Sequence, residues 1–405
     1  MSTRRQAATR GAIKDAVWCV SVLALTVQWI GVRWLHLQLA APWDVVLPGL
    51  GIFGAAFLLS WGAELAELEI AQSLALAFLA LMAVLPEYAV DMYLAWKAAH
   101  DPSYTAYAAA NMTGANRILI GLGWPVILLC YWWKTRQRTI YLEAEQRVEL
   151  LTLVIATLYA FVIPLKRTFS LIDTLVLVGL FVVYMIQSSK ATHVVPELEG
   201  PPARVAVFPR AWRRLITVAL FVVPGCAIFL AAQPFADGLL RSARHLGVEE
   251  FVLIQWLAPL ASEAPEFIVA ILFALRRNPG AGFGALVSSK VNQWTLLVGM
   301  LPLVYAVSAG RLMPMHLDAR QTEEIFLTVA QSLLGVVVLA NWRFGLGEAV
   351  MLAALFLTQL FITTTWIRTA YAVGYIVISL AYLANRPYRR ALIALLTTGW
   401  RAPST

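Results

Sequence analysis

The chain has 405 residues, of which 60% are hydrophobic and 13% are charged, and its formal net charge is +8. Apolar runs of about 20 residues recur along its whole length, which excludes an ordinary soluble protein and indicates an all-α polytopic membrane protein. In this class the basic residues belong to cytoplasmic loops, so the positive charge predicts no nucleic-acid partner. The three cysteines lie singly in apolar runs, without metal or disulfide spacing, and we expect no cofactor.

The chain begins with a basic segment, residues 1–14, which precedes the first apolar run without a clear cleavage site and predicts an uncleaved signal-anchor helix. Most basic residues fall in loops on the same side of the membrane as this segment. We therefore predict an integral protein of the plasma (inner) membrane with both termini cytoplasmic. The hydropathy pattern predicts twelve spans, approximately 16–39, 46–62, 72–98, 104–133, 148–165, 169–187, 214–233, 250–276, 281–308, 323–341, 346–364 and 367–385.

Two predicted spans contain a Pro-Glu pair, which is unusual in apolar sequence. The third span carries Glu87 and Asp91, and the eighth carries Glu263 and Glu266, so each pair of acids shares one helix face. A proline inside a helix leaves a carbonyl group one turn earlier without its hydrogen bond. A freed carbonyl beside a carboxylate offers the oxygen ligands that Na⁺ or Ca²⁺ prefers.

The span that follows each Pro-Glu pair adds neutral polar side chains and one base. A carboxylate inside a membrane is costly unless it faces a cation or a partner, so these polar groups predict a cation site. The alternative is that the acids pair with the two bases, Arg117 and Lys290, in structural salt bridges. The candidate cation ligands are Glu87, Glu266, Glu263, Asn116, Asn292, Ser288, Ser262, Asp91 and Asn111.

The chain also repeats itself at a nearly constant spacing. The matching pairs are Glu87 with Glu266, Asn116 with Asn292, and Asp173 with Glu348. The last two acids lie near predicted helix starts, where the helix dipole favours them. Five spans per copy make an odd number, which forces opposite orientations in the membrane and predicts two inverted five-helix repeats with one extra helix at each end. The predicted segments are 1–45 (basic tail and extra helix), 46–187 (first repeat), 188–213 (cytoplasmic loop), 214–365 (second repeat) and 366–405 (extra helix and basic tail).

These paired segments resemble the two alpha-repeats of the cation/calcium exchanger superfamily, the sodium/calcium and proton/calcium antiporters. That family has a Gly-Thr-Ser-Leu-Pro-Glu helix followed by a Gly-Asn-x-x-Gly-Ser-Asn helix. Here "AVLPE" (83–87) and "SEAPE" (262–266) match the first pattern, and "AANMTGAN" (109–116) and "GALVSSKVN" (284–292) match the second more loosely. The resemblance covers about residues 46–365. It implies ten core helices in two inverted halves, alternating access, and a cation site with Glu87 and Glu266 as metal ligands.

The sequence departs from the family pattern at positions that supply ligands. In the first copy, Ala83 and Val84 replace the Thr-Ser pair and bring no side-chain oxygen. Lys290 and Arg117 place positive charge where the family keeps neutral groups. A fixed ammonium group can occupy the place of a coupling cation and repel another.

Three functions follow from these observations. The first is an antiporter that moves Ca²⁺ or a related cation in exchange for Na⁺ or H⁺. The others are a Na⁺/H⁺ antiporter and a non-transporting membrane scaffold with a degenerate ion site. We expect no enzyme, because the sequence has no nucleophile–base pair and no phosphate-binding loop. The expected partners are inorganic cations and the lipid bilayer, and the sequence leaves the oligomeric state open.

Overall fold

The computed structural model describes residues 2–37, 39–66, 68, 85–142, 146–189, 198, 200–360, 362 and 364–399, with backbone only for 2–14, 265 and 398. The described chain is almost entirely helical, which confirms the predicted all-α class. It forms two compact units, Met1–Val90 with Thr192–Val248, and Asp91–Ala191 with Glu249–Thr405. The predicted residues Ala83 and Val84, and the first part of the predicted span 72–98, lie outside the described residues.

The first unit contains four helices and the first turn of a fifth. The helices are α1 (Ser2–Trp34), α2 (Trp43–Ala66), the start of α3 (Leu85–Ala98), α9 (Pro201–Ala206) and α10 (Arg210–Leu246). Helix α2 packs against both α1 and α10. Gly54 permits the close approach to α1, because a Cβ atom at that position would lie 2.8 Å from Leu25 Cβ.

An apolar cluster and an ion pair hold α2 against α10. Ala55 and Leu59 of α2 pack on Ala227 and Ile228 of α10. Near the end of α10, Arg241 Nε lies 2.9 Å from the Asp44 carboxylate at the start of α2. Helix α10 continues to Leu246 as one helix of 37 residues, whereas the sequence analysis ended the corresponding span at residue 233.

The second unit contains the rest of α3 and most of the long helices. The helices are α4 (Ser103–Ile118), α5 (Trp124–Thr135), α6 (Arg147–Ala160), α7 (Val162–Lys166), α8 (Leu171–Ser188), α11 (Glu250–Leu275), α12 (Pro279–Asn292), α13 (Val298–Ala309), α14 (Ala319–Leu339), α15 (Leu346–Gln359), α16 (Thr365–Ala384) and α17 (Arg386–Thr398). Helices α4 and α5 form one span through a single π-helical segment, π1 (Leu119–Gly123), and α12 and α13 do so through π2 (Gln293–Leu297). A π-helical turn inside a long helix is rare and frequently marks a functional site.

Four short strands form two antiparallel ladders in the second unit. They are β1 (Thr139–Tyr141), β2 (Thr168–Phe169), β3 (Met315–His316) and β4 (Arg343–Gly345). Strand β1 pairs with β4, with Ile140 opposite Phe344, and β2 pairs with β3, with Phe169 opposite Met315. Strand β1 follows the first π-containing span and β3 follows the second, while β2 and β4 each precede a later helix. Strands β1 and β3 therefore hold matching positions in the two halves of the chain, as do β2 and β4. Each ladder pairs one strand of each kind, so the two ladders are equivalent.

Nine helices of the described residues are long and apolar enough to cross a membrane, and the bent α11 makes up to ten. The other predicted spans are α15, which has 14 residues, and span 72–98, which is only partly described. The predicted capping roles are confirmed: Asp173 accepts from the Ser170 backbone N–H at 2.6 Å, and Glu348 accepts from that of Gly345 at 2.6 Å. The predicted basic tail instead forms α17, which contacts α16.

Candidate cation site

Helix α11 carries three of the predicted ligands, Ser262, Glu263 and Glu266. It bends by 58° between Ala264 and Glu266, where the sequence has a proline that cannot donate a backbone hydrogen bond. Glu263 is buried on the N-terminal side of the bend, and Glu266 is partly buried on the other side. Ser262 donates to its own helix, to the carbonyls of Ala258 at 3.1 Å and Pro259 at 3.2 Å. The bend therefore separates two carboxylates in one helix.

The neighbouring helix α12 supplies a hydrogen bond to Glu266. Ser289 Oγ donates to Glu266 Oε2 at 2.6 Å. The predicted residue Ser288 lies instead 3.0 Å from the hydroxyl of Tyr184, on α8. Adjacent residues point about 100° apart on a helix, so only one of the two serines can face Glu266.

Glu263 is held in the same way by the first residue of π2. Gln293 Nε2 donates to Glu263 Oε1 at 2.9 Å, while Glu263 Oε2 has no hydrogen-bond partner among the described residues. The predicted ligand Asn292, one residue earlier, is buried, and its Oδ1 atom also lacks a hydrogen-bond partner in the described part of the chain. Neutral side chains thus donate a hydrogen bond to each carboxylate of α11.

Asp91 of α3 forms a third buried carboxylate with a neutral donor. The Asn111 side chain on α4 donates to Asp91 Oδ1 at 2.8 Å. Both residues are fully or almost fully buried, and Asp91 Oδ2 has no hydrogen-bond partner within the described ranges. An unsatisfied carboxylate oxygen in a buried position is costly unless it takes up a cation or a proton.

Lys290 occupies the oxygen atoms of another predicted ligand, Asn116. Its ammonium group lies 2.6 Å from Asn116 Oδ1 and 3.3 Å from the Asn116 carbonyl oxygen. The same ammonium group lies 4.2 Å from the centroid of the Trp294 ring, in a cation–π contact. Lys290 is only 1% exposed. A protein cation thus sits on the oxygen atoms that the sequence analysis assigned to a transported cation.

Arg117 forms a buried ion pair with an acid that the sequence analysis did not single out. Arg117 Nη1 lies 2.5 Å from Glu324 Oε2, and Arg368 Nη1 lies 2.8 Å from Glu324 Oε1. Gln255 Nε2 donates to Glu324 Oε2 at 3.0 Å and to Thr113 Oγ1 at 3.2 Å. The predicted alternative, in which the motif acids pair with Arg117 and Lys290, therefore differs from the structure at Arg117, whose partner is Glu324.

Glu87 lies in the first turn of α3 and is 3% exposed. It belongs to the first compact unit. Among the described residues, no group of three or more His, Cys, Asp and Glu side chains is arranged to hold a metal ion.

The sequence analysis did not single out Gln293 as a carboxylate partner or Glu324 as the partner of Arg117. Ser289 is one of the neutral polar side chains that it placed in the span after the second Pro-Glu pair, next to the predicted Ser288, and Gln293 adjoins the predicted Asn292. The signal for Glu324 was Arg117 itself, because an arginine inside a span requires an anion and the acids near the start of a later span can supply it.

The chain has clear relatives among known proteins. The family model of the sodium/calcium exchanger protein matches residues 45–190 and 216–365. The crystal structure of the H⁺/Ca²⁺ exchanger CAX is 41% identical, with 96% of this chain and 98% of that chain covered and a TM-score of 0.92.

Two more distant structures share the fold. Native YfkE is 15% identical, with 88% of this chain and 98% of that chain covered and a TM-score of 0.58. The sodium-calcium exchanger NCX_Mj soaked with 2.5 mM Na⁺ and 0.1 mM Sr²⁺ is 18% identical, with 78% and 96% covered and a TM-score of 0.53. No curated protein matches the chain by sequence.

Proposed function

Because this chain belongs to the sodium/calcium exchanger protein family, we propose that it is a secondary active antiporter that exchanges Ca²⁺ for H⁺ across a membrane by alternating access. The observation that carries the proposal is the pair of carboxylates in α11. Glu263 and Glu266 lie in a bent apolar helix and are held by the neutral donors Gln293 and Ser289. Carboxylate oxygens are the ligands that a hard divalent cation prefers, and a buried carboxylate can alternatively take up a proton.

The proposed architecture is two inverted five-helix repeats, residues 46–187 and 214–365, joined by a cytoplasmic loop. The two stretches that match the family model, 45–190 and 216–365, have nearly the same bounds. The strand pairing supports the repeat, because the β1–β4 and β2–β3 ladders are equivalent and each joins strands from opposite halves of the chain. The presence of one π-helical segment in each half supports it too. A broken helix is a common ion-binding device in such transporters, and α11 bends by 58° at its Pro-Glu pair.

We propose Glu87 and Glu266 as the carboxylate ligands of the transported cation, on the strength of the repeated Pro-Glu pair. Glu263 and Asp91 would supply further charge, because each has an oxygen atom without a hydrogen-bond partner in the described residues. Asn111 orients Asp91, and the remaining predicted oxygen ligands are Asn292, Ser262 and Ser288. Ser289 joins them as the residue that contacts Glu266.

Lys290 favours H⁺ over Na⁺ as the coupling ion. Its ammonium group lies on Asn116 Oδ1, so a second monovalent cation at that oxygen would meet a fixed positive charge at close range. Protonation of a buried carboxylate also adds one positive charge, but it places the proton on the carboxylate itself and needs no extra oxygen ligands. The sequence similarity to the H⁺/Ca²⁺ exchanger CAX supports the same choice.

The proposed location is the plasma (inner) membrane, with both termini in the cytoplasm. The support is the concentration of basic residues in loops on one predicted side. The proposed partners are inorganic cations and the surrounding lipid. The protein would act as a transporter rather than as an enzyme.

The test is ion flux in proteoliposomes that contain the purified protein. Ca²⁺ uptake and internal pH would be recorded while a pH gradient or a Na⁺ gradient is imposed. Glu266→Gln would be compared with Glu348→Gln, a matched control whose carboxylate caps α15 and accepts from the Gly345 N–H at 2.6 Å. We expect Ca²⁺ uptake driven by the pH gradient, its loss in Glu266→Gln and its retention in Glu348→Gln.

The other outcomes distinguish the alternatives. Proton movement driven by Na⁺ with no effect of Ca²⁺ would identify a Na⁺/H⁺ antiporter. Ca²⁺ uptake that follows only the Na⁺ gradient would replace H⁺ by Na⁺ as the coupling ion. A folded wild-type protein that moves no ion under any gradient would support the membrane scaffold.

A further inference from the structure

Helix α16 lies beyond the two stretches that match the family model, yet it reaches deep into the second unit. It packs along α14 and contributes Arg368 and Tyr375, which are 5% and 1% exposed. A helix that only anchored the chain in lipid would not need a buried arginine, because an unpaired charge in a membrane is costly. These two side chains therefore indicate a role within the protein.

Arg368 is connected to Arg117 by two ion pairs that share Glu324. Glu324 uses one carboxylate oxygen for each arginine, at 2.8 Å to Arg368 Nη1 and 2.5 Å to Arg117 Nη1. Arg368 Nε also donates to the Ile362 carbonyl at 2.8 Å, which fixes its own position. The contact joins α16, α14 and α4 through side chains that are almost completely buried.

Tyr375 is connected to Arg117 by a series of neutral hydrogen bonds. Gln359 Nε2 donates to the Tyr375 hydroxyl oxygen at 3.2 Å and to Gln331 Oε1 at 3.2 Å. Gln331 Nε2 then donates to the Arg117 carbonyl oxygen at 3.1 Å. Arg117 is therefore held at its guanidinium group by the ion pair with Glu324 and at its carbonyl oxygen by the hydrogen bond from Gln331.

Arg117, which both sets of contacts hold, lies next to a residue of the candidate cation site. Arg117 directly follows Asn116, whose side chain and carbonyl bind the Lys290 ammonium group, and the segment π1 begins two residues later. A rotation of α4 about its axis at Arg117 would carry Asn116 with it. Two attachments at different atoms of one residue resist such a rotation better than either would alone.

We propose that α16 is a clamp that sets the orientation of α4 at the ion site, with Arg368 and Tyr375 as positioning residues. This inference rests on the proposed Ca²⁺ exchange. In the contacts described above, Arg368 meets Glu324 and the Ile362 carbonyl, and Tyr375 meets Gln359, none of which is a candidate cation ligand. Arg368 and Tyr375 each act through Arg117. Removing either side chain should therefore change the affinity for Ca²⁺ more than the maximal rate of exchange.

The test compares Arg368→Gln, Arg368→Lys and Tyr375→Phe with the wild type in proteoliposomes. The Ca²⁺ concentration for half-maximal uptake and the maximal rate are measured separately. Tyr382→Phe is the matched control on α16, where the Tyr382 ring packs edge-to-face against Tyr388. Arg389→Gln is an exposed control on α17.

We expect Arg368→Gln to raise the half-maximal Ca²⁺ concentration about tenfold to a hundredfold, as for second-layer partners of metal ligands. Tyr375→Phe should raise it roughly threefold to tenfold, because one neutral hydrogen bond is lost. Arg368→Lys keeps the charge and should recover most of the affinity. The two controls should match the wild type.

Hydrogen–deuterium exchange gives a readout that does not depend on transport. Both Arg368→Gln and Tyr375→Phe should increase deuterium uptake over residues 111–123, and Tyr382→Phe should not. A wild type that exchanges no Ca²⁺ overturns the proposed function, and the deuterium data then decide on the clamp alone. A wild type that exchanges Ca²⁺, with unchanged affinity and uptake in Tyr375→Phe and in every folded Arg368 variant, overturns the clamp.

Discussion

The ammonium group of Lys290 lies 2.6 Å from the side-chain oxygen of Asn116, a residue 174 positions earlier in the chain. The two residues belong to α12 and α4, the helices that lead into the two π-helical segments. The chain thus places a lysine side chain on an oxygen atom of one candidate ligand, while Gln293 and Ser289 donate hydrogen bonds to the carboxylates of α11.

The first prediction concerns the two adjacent serines of α12. Ser289→Ala removes the hydroxyl that donates to Glu266, and we expect Ca²⁺ affinity to fall about tenfold to a hundredfold. Ser288→Ala is the matched control, because that hydroxyl contacts Tyr184 instead. Half-maximal Ca²⁺ concentrations in proteoliposomes check the prediction. A larger effect at Ser288 would show that the structure has the wrong serine facing the carboxylate.

The second prediction concerns the contact between Glu263 and Gln293. Glu263→Gln and Gln293→Leu each alter one partner of a 2.9 Å hydrogen bond. The effects of substitutions at two residues in contact are usually not additive. The free-energy change calculated from the half-maximal Ca²⁺ concentration of the double variant should therefore differ from the sum of the two single changes by about 0.5–3 kcal/mol. The half-maximal Ca²⁺ concentrations of all four proteins form the cycle. Additive effects would mean that Gln293 does not orient this carboxylate.

The third prediction concerns the fixed cation. Lys290→Met removes the ammonium group and exposes Asn116 Oδ1 to other cations, so saturating Na⁺ should inhibit Ca²⁺ uptake in the variant but not in the wild type. Lys97→Met, at the end of α3, is the control and should remain insensitive to Na⁺. Ca²⁺ uptake with and without Na⁺ is the measurement. Equal insensitivity in both variants would argue against a role for Lys290 in ion selection.

The fourth prediction concerns the packing of α4 on α11. A Cβ atom at Gly114 would lie 1.7 Å from the Gln255 carbonyl oxygen, so Gly114→Ala must push the two helices apart. Overpacking of this kind typically costs about 1–3 kcal/mol, and we expect a lower melting temperature in detergent. Gly179→Ala on α8 is the control, since nothing lies within 4 Å of its added Cβ. A melting temperature for Gly114→Ala equal to that of the control would contradict the close approach.

The sequence by itself determined the all-α membrane class, most of the spans, the Pro-Glu pairs and the acids that cap α8 and α15. These features depend on local physics: an apolar run must form its own backbone hydrogen bonds in lipid, and a helix start favours an acid wherever it lies. The approximate length of each span also follows from the thickness of the bilayer.

The tertiary structure decided which side chains meet. One residue of helix register separates Ser289 from Ser288 and Gln293 from Asn292, and hydropathy cannot resolve a rotation of about 100° in a helix that is buried on most sides. The partner of Arg117 is Glu324, 207 residues away, and no local rule connects them. The links from α16 to Arg117, through Glu324 and through Gln359 and Gln331, likewise exist only once the helices are packed.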